Sequence, residues 1–131
     1  MTAKINFDLV SPERLLLSQP VDMVTVSGTE GYMGVMAGHM PLVSALRAGM
    51  IDMKNDGVDT RYFIRGGFAE VSATQITVLA DEAIPMTELD LAVLDQRIKD
   101  AQEDEIAAKT DIDRLKAAQM VDDLKLVRAA F

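Results

Sequence analysis

Short apolar runs alternate with turn residues through the first 85 positions of the chain. From Ile5 to Val10, apolar residues recur at every second position, which is typical of a strand with one buried face. Similar runs predict strands at 5–10, 14–18, 21–26, 32–36, 42–46, 50–53, 61–64, 68–71 and 75–79. Between two of these runs, Asn55-Asp56-Gly57 predicts a tight hairpin, because Asp-Gly suits the positive φ angles of such a turn.

The close spacing of these strands indicates the fold class. Short strands joined by turns favour an antiparallel sandwich or a flattened barrel. All eight glycines and all four prolines of the chain lie before residue 86, where such turns need them. We therefore predict that residues 1–85 form an all-β sandwich of about eight to ten short antiparallel strands.

The remaining residues, 86–131, contain neither glycine nor proline and predict helices. Helix starts are expected at Thr87 and at Thr110, because each threonine can cap a helix whose first turn carries acidic residues. Apolar residues with helical spacing follow each start: Leu91, Leu94, Ile98 and Ala101, then Ile112, Leu115, Ala118, Val121, Leu124 and Val127. We predict an antiparallel helical hairpin that bends near residues 109–110. One long helix of about 40 residues is the alternative, since no breaker residue marks the bend.

The overall composition excludes several classes of protein. A hydrophobic content of 49% excludes a disordered chain, and a net charge of −8 argues against a nucleic-acid partner. Zero cysteines exclude disulfides and thiolate metal sites. There is no apolar run of about 18 residues that would span a membrane, and the first residues resemble neither a secretory signal nor a transit peptide.

Enzymatic motifs are absent from the sequence. The single histidine, His39, excludes a metal site with two histidines, and neither a nucleophile elbow nor a phosphate-binding glycine loop is present. His39 lies in the predicted loop Ala-Gly-His-Met-Pro, where it either contacts a partner or bonds the local backbone. We therefore expect no catalytic residue, no metal and no cofactor, and we set a small β enzyme aside as the least favoured function.

Six motifs lie in order along the β part: residues 7–13 (FDLVSPE), 28–34 (GTEGYMG), 38–42 (GHMPL), 47–51 (RAGMI), 66–71 (GGFAEV) and 77–81 (TVLAD). Together they resemble the epsilon subunit of F-type ATP synthases. The helical tail is similar to that family in length and position only. The first and fifth motifs look closest to alphaproteobacterial members.

The resemblance implies a non-catalytic rotor subunit. Its β unit (1–85) would join the gamma subunit to the membrane ring of c subunits, and its helical unit (86–131) would be a candidate regulator of ATP hydrolysis through the alpha and beta subunits. The implied location is peripheral, on the cytoplasmic face of a bacterial inner membrane, with membrane contact only through the complex. The isolated chain is expected to be a monomer.

Site residues follow from the resemblance by position. Glu30, Gly31 and Tyr32 are similar to the loop that rests on the c-ring, although several relatives carry an acid at the position of Tyr32. Ser11, His39 and Ser44 fall where relatives face the gamma subunit.

A second hypothesis from the same resemblance is a nucleotide-sensing module. Some relatives bind ATP through an I-D-x-x-R-A motif at the start of the tail. Leu89 and Asp90 match its first two positions, but Val93 stands in place of the arginine, so a charge-assisted donor to phosphate is lost.

Overall fold

The computed structural model describes residues 3–129, and the chain divides after Pro85 into two compact units. The division lies where the glycines and prolines end. The first unit is all-β and the second is helical.

Ten strands make up the described part of the first unit. They are β1 (Ile5–Val10), β2 (Leu15–Val21), β3 (Met23–Gly28), β4 (Gly31–Val35), β5 (Leu42–Leu46), β6 (Gly49–Asn55), β7 (Val58–Ile64), β8 (Gly67–Val71), β9 (Gln75–Ala80) and β10 (Ala83–Pro85). They follow one another in the order β10-β7-β6-β3-β5-β8-β9-β1-β2, with β4 paired to β3. The predicted sandwich-like β fold is confirmed.

Few main-chain pairs connect the strands at the middle of the sheet. Strands β3 and β5 share a single residue pair, Gly28 with Leu46. One half therefore consists of β10, β7, β6, β3 and β4, and the other of β5, β8, β9, β1 and β2. We call these the first half and the second half of the sheet.

Side chains from alternate strand positions fill the core between the halves. In β1, Ile5, Phe7 and Leu9 are fully buried, while the residues between them are not. Val24 and Val26 of β3 are fully buried from the other half. Each such side chain contributes about 1.5–3 kcal/mol to stability. This close packing makes the unit stiff.

The strands differ from the prediction in three places. Strand β2 continues through Pro20 instead of ending before it; Pro20 is tolerated because β2 lies at the edge of the sheet, where no ladder needs its missing N–H. Strand β10, which pairs with β7, was not predicted. One pair, β1 with β9, is parallel, whereas antiparallel strands were expected.

The predicted hairpin between β6 and β7 is confirmed by its backbone angles. Asp56 has φ 51° and Gly57 has φ 79°, as the turn type favoured by Asp-Gly requires.

Two helices form the second unit, α1 (Leu91–Ala107) and α2 (Asp111–Ala129). An ion pair of 2.7 Å joins Arg128 near the end of α2 to Asp95 near the start of α1, so the helices run antiparallel. The hairpin prediction is confirmed, and the single long helix is excluded. Neither helix in the described residues combines the length and apolar content needed to cross a membrane.

One of the two predicted N-caps is confirmed, and the other differs in the structure. Thr110 caps α2 as expected, since its Oγ1 accepts the Asp113 N–H at 3.1 Å. Thr87 does not cap α1; it lies in a short 3₁₀ turn, and the cap is Asp90.

The predicted apolar stripes are only partly buried. Leu94 and Ala101 of α1 and Val121, Leu124 and Val127 of α2 are buried. Leu91, Ile112 and Leu115 are exposed, contrary to their place in the stripes. The apolar residues in the first turns of α2 are therefore exposed, and only those further along the helix are buried.

Candidate partner-binding surface

The residues similar to the c-ring loop lie at the apex of the β3–β4 hairpin. Gly28 pairs with Gly31, which leaves Thr29 and Glu30 as a turn of two residues. Gly31 has φ +132°, a value that L-residues rarely adopt, so glycine is needed to close this turn. Glu30 is exposed at the apex, and its carboxylate is available to a cationic partner group.

Tyr32 is exposed over 55% of its surface, but its hydroxyl turns back toward the sheet. The Met50 N–H donates to this hydroxyl at 3.4 Å, from the start of β6. A Cβ atom at Gly49 would lie only 2.9 Å from the hydroxyl oxygen and 3.0 Å from the Ser27 Cβ. The glycine at position 49 thus makes room for the tyrosine, which fastens the hairpin to the sheet.

A groove of about 480 Å³ separates this hairpin from β5. Its volume lies within the range of about 300–1,000 Å³ that is common for binding pockets. Glu30 and Tyr32 belong to one wall and Ser44 to the other. The sequence assigned Ser44 to the gamma side and the hairpin to the c-ring side, yet the structure places them on two sides of one groove.

Ser11 and His39 lie at opposite ends of the second half of the sheet. Ser11 follows β1, whose last residue pairs with Leu79 near the end of β9. His39 follows Gly38, whose N–H donates to the Ala73 carbonyl in the turn before β9, at 2.7 Å. The three residues assigned to the gamma side are therefore spread along the sheet and do not form one cluster.

Both end residues bond to the local backbone. The Ser11 hydroxyl donates to the Arg14 carbonyl at 3.3 Å and closes the β1–β2 turn. The His39 Nδ1 lies 2.7 Å from the Met40 carbonyl, and since a carbonyl only accepts, Nδ1 carries the hydrogen. This contact realises the local-backbone alternative for His39, and the ring stays partly exposed.

An apolar row crosses the outer face of the second half, and the sequence reasoning did not name its residues. Neighbouring strands place these side chains opposite one another: Ala45, Phe68, Leu79, Val10 and Leu15. Phe68 is 55% exposed, Leu79 44% and Leu15 56%. Exposed apolar rows of this kind mark interaction surfaces. We call these five residues the outer row.

Strand alternation contains a signal for the outer row. In β8, Phe68 is two residues from the charged Glu70, and in β9, Leu79 is two residues from Thr77. Residues two apart share a face of the sheet, so each large apolar residue belongs to the polar, outward face. The outer row therefore gives this face of the sheet exposed apolar side chains.

Comparison with known proteins identifies the family of the chain. Residues 4–86 match the family described as ATP synthase, Delta/Epsilon chain, beta-sandwich domain. The ATP synthase epsilon chain of Parvibaculum lavamentivorans is 50% identical over 129 residues, which cover 98% of each chain. That of Maricaulis maris is 46% identical over 98% of this chain and 97% of the relative. This chain belongs to the ATP synthase epsilon chain family. The predicted resemblance, including its alphaproteobacterial character, is confirmed.

Solved structures of two mitochondrial ATP synthases contain chains with a similar fold. A chain of the Euglena gracilis mitochondrial ATP synthase, in a structure that includes the c-ring, superposes with a TM-score of 0.83 at 27% identity. The match covers 99% of this chain and 82% of that one. A chain from the central stalk and c-ring of Tetrahymena thermophila has a TM-score of 0.77 at 16% identity, which shows the common fold.

The two residues that match the nucleotide motif have structural roles in the second unit. Leu89 is buried. Asp90 is the N-cap of α1, and its Oδ1 accepts the Val93 N–H at 2.8 Å. The helix terminus thus uses part of this carboxylate's hydrogen-bonding capacity. The negative charge also interacts favourably with the helix dipole there.

Substitutions of Asp90 test its role as the N-cap of α1. Asp90→Ala should destabilise the helical unit by about 0.5–2 kcal/mol, because a backbone donor loses its acceptor. Asp90→Asn should retain most of the stability, since asparagine also caps. Thermal unfolding followed by helical circular dichroism measures both. If Asn were as damaging as Ala in the absence of nucleotide, the capping role would be wrong.

Proposed function

We propose that this chain is the non-catalytic subunit of the ATP synthase central stalk that bridges the gamma subunit and the c-ring. It would couple proton flow through the ring to ATP synthesis in the catalytic head. The observation that carries the proposal is the outer row. This band of apolar side chains runs across five neighbouring strands of one rigid unit, β5, β8, β9, β1 and β2. Such a band fits a large and lasting protein interface.

We assign the outer row to the gamma subunit. Burying Phe68, Leu79 and Leu15 against a partner would remove three large, exposed apolar groups from water. Ser11 adjoins the row at the end of β1, which agrees with its assignment to the gamma side. Ser44 would contact the gamma subunit from the groove beside β5, and His39 would contact it from the far end of the sheet.

We assign the hairpin apex, with Glu30, Gly31 and Tyr32, to the polar loops of the c-ring. The apex is small, exposed and closed by glycine, and Tyr32 fastens it to β6 through the Met50 N–H. A torque applied at the apex would therefore reach the close-packed core with little bending. Glu30 would meet a basic group, in an exposed pair of the kind worth about 0–1 kcal/mol.

The proposal places the chain at the cytoplasmic face of a bacterial inner membrane, attached through its partners. A pull-down with the tagged full-length chain from its native membranes tests the proposal. We expect the gamma chain to be recovered together with the alpha and beta chains and the c subunits. Recovery of the chain alone, under conditions that keep the synthase intact, would overturn the proposal.

For the helical unit we propose a part in modulating ATP hydrolysis. Its support is the exposed apolar group around the helical bend, where Ile106, Ile112 and Leu115 lie 86%, 67% and 71% exposed. These residues suit a contact with another subunit more than with solvent. ATP hydrolysis rates of the synthase reconstituted with wild-type chain and with Leu115→Asp test this. Equal rates would count against it.

A further inference from the structure

Strand β5 is an open edge along most of its length. On one side it pairs with β8 throughout, from Leu42 with Val71 to Leu46 with Gly67. On the other side it meets β3 only at Leu46, where the two halves of the sheet join. Beyond that point the β3–β4 hairpin turns away, and the groove lies between them.

The hydrogen bonds at the junction show which main-chain groups of β5 point into the groove. The Thr29 N–H donates to the Ala45 carbonyl at 3.2 Å, and the Arg47 N–H donates to the Ser27 carbonyl at 2.8 Å. In an antiparallel strand the N–H and C=O of one residue point to the same side, and successive residues alternate. Residues Val43 and Ala45 therefore point their main-chain groups away from β8.

Three of these groups have no main-chain partner within residues 3–129. They are the N–H of Ala45 and both the N–H and the C=O of Val43. The side chain of Val43 is 68% exposed, and Leu42 beside it is 38% exposed. An unpaired strand edge with apolar side chains is a template for a further strand, and it lacks the lysine or bulge that commonly protects an edge.

The opposite side of the groove keeps the space clear. A Cβ atom at Gly28 would lie 2.8 Å from the Gly31 carbonyl oxygen and 3.7 Å from the Ser44 Oγ, so glycine leaves this part of the groove open. Glu30 is the charged residue among those that line the groove. An occupant that lies along β5 should therefore be mostly uncharged.

We propose that an extended segment of the gamma chain enters this groove and adds to β5 as a further strand. The inference rests on the proposed function and specifies how the two chains bind. Gamma is the occupant because Val43 and Ala45 also present their side chains on the outer face, where Ala45 belongs to the outer row. Main-chain bonds to β5 would supply affinity, and Val43 would select the side chains of the added strand.

Residue-resolved amide hydrogen exchange tests the strand addition on the full-length chain. In the free chain, the amides of Val43 and Ala45 should exchange fast, while those of Leu42, Ser44 and Leu46, which face β8, exchange slowly and serve as the internal reference. On binding purified gamma chain, we expect exchange at Val43 and Ala45 to slow by at least about 10-fold.

The possible outcomes separate this inference from the proposed function. If the gamma chain binds and the two amides are not slowed, strand addition is wrong and the stalk role stands. If the gamma chain does not bind, both fall. Slow exchange at Val43 already in the free chain would show that the edge is not open, and would overturn the inference as well.

A pair of substitutions at Val43 distinguishes a main-chain hydrogen bond to the gamma chain from simple burial of the strand edge. Val43→Pro removes the N–H that faces the groove and leaves the β8 ladder intact, since proline is tolerated at such edge positions. Val43→Ala keeps the N–H and removes apolar surface. We expect Val43→Pro to bind gamma about 3- to 10-fold more weakly than Val43→Ala, the loss of one neutral hydrogen bond. Equal affinities with equal thermal stability would contradict strand addition.

Discussion

The Phe68→Glu variant is expected to lose the gamma chain from the pull-down. Phe68 lies within the outer row, with Ala45 on one side and Leu79 on the other, and it is 55% exposed in the free chain. A charge at this position would have to be desolvated inside an apolar contact. Central aromatic residues of interfaces are commonly hot spots worth 2 kcal/mol or more, so binding should weaken by at least about 30-fold.

Val58→Glu is the matched control for this variant. Val58 is also an exposed apolar strand residue, at 63%, but it belongs to β7 in the first half of the sheet. Both substitutions should leave the fold intact, because neither side chain is in the core; the lost cross-strand pair with Leu79 costs Phe68→Glu at most about 1 kcal/mol. Thermal unfolding verifies this, and titration calorimetry with the gamma chain gives the affinities. Equal affinities for the two variants would mean that the outer row is not the gamma surface.

Gly67→Ala is expected to have the largest effect on stability. Gly67 pairs with Leu46 and with Ala80 and has φ +146°, which L-residues rarely adopt. A Cβ atom there would overlap the Leu79 carbonyl oxygen and would lie 2.9 Å from the Ala80 Cα. Because both obstacles are backbone, β9 itself would have to move. Backbone strain and overpacking together should cost about 3–5 kcal/mol, a large part of the 5–15 kcal/mol that small domains have.

Calorimetric unfolding of the full-length chain measures this loss, which should lower the Tm of the β unit by about 15 °C or more. Gly34→Ala provides the control, since a Cβ atom there would be 3.6 Å from the Met23 sulfur, an ordinary contact. Gly34 has no positive φ, so the control should change the stability by less than about 1 kcal/mol. A Gly67→Ala protein as stable as Gly34→Ala would show that β8 and β9 separate easily at this point.

Some elements were predictable because their causes are local. Alternation identified β1, and a short apolar run between turn residues identified β5, both with their observed ends. Asp56-Gly57 identified a turn whose angles follow from the residue types. Loss of glycine and proline after Pro85 indicated the change from strands to helices. Capping at Thr110 was recognised for the same reason, whereas Thr87 was predicted to cap α1 and the structure has Asp90 in that role.

Other features depend on partners distant in the chain. The parallel pairing of β1 with β9 and the continuation of β2 through Pro20 follow from where each strand lies in the sheet. Ile112 and Leu115 have the spacing of a buried stripe, but they are exposed because burial also requires a neighbour at the same height. Candidate binding residues could be predicted from the resemblance, but their separation across the sheet could not.

The sequence by itself determined the two-unit organisation, the β and helical classes and the family, because residue periodicity, turn chemistry and motif order are properties of neighbouring residues. Only the tertiary structure decided that Phe68, Leu79 and Leu15 form one row, and that Val43 lies on an open strand edge beside Glu30. Strand pairing brings these residues together across long stretches of chain. Their surface therefore arises from the order of strands in the sheet, which local patterns do not encode.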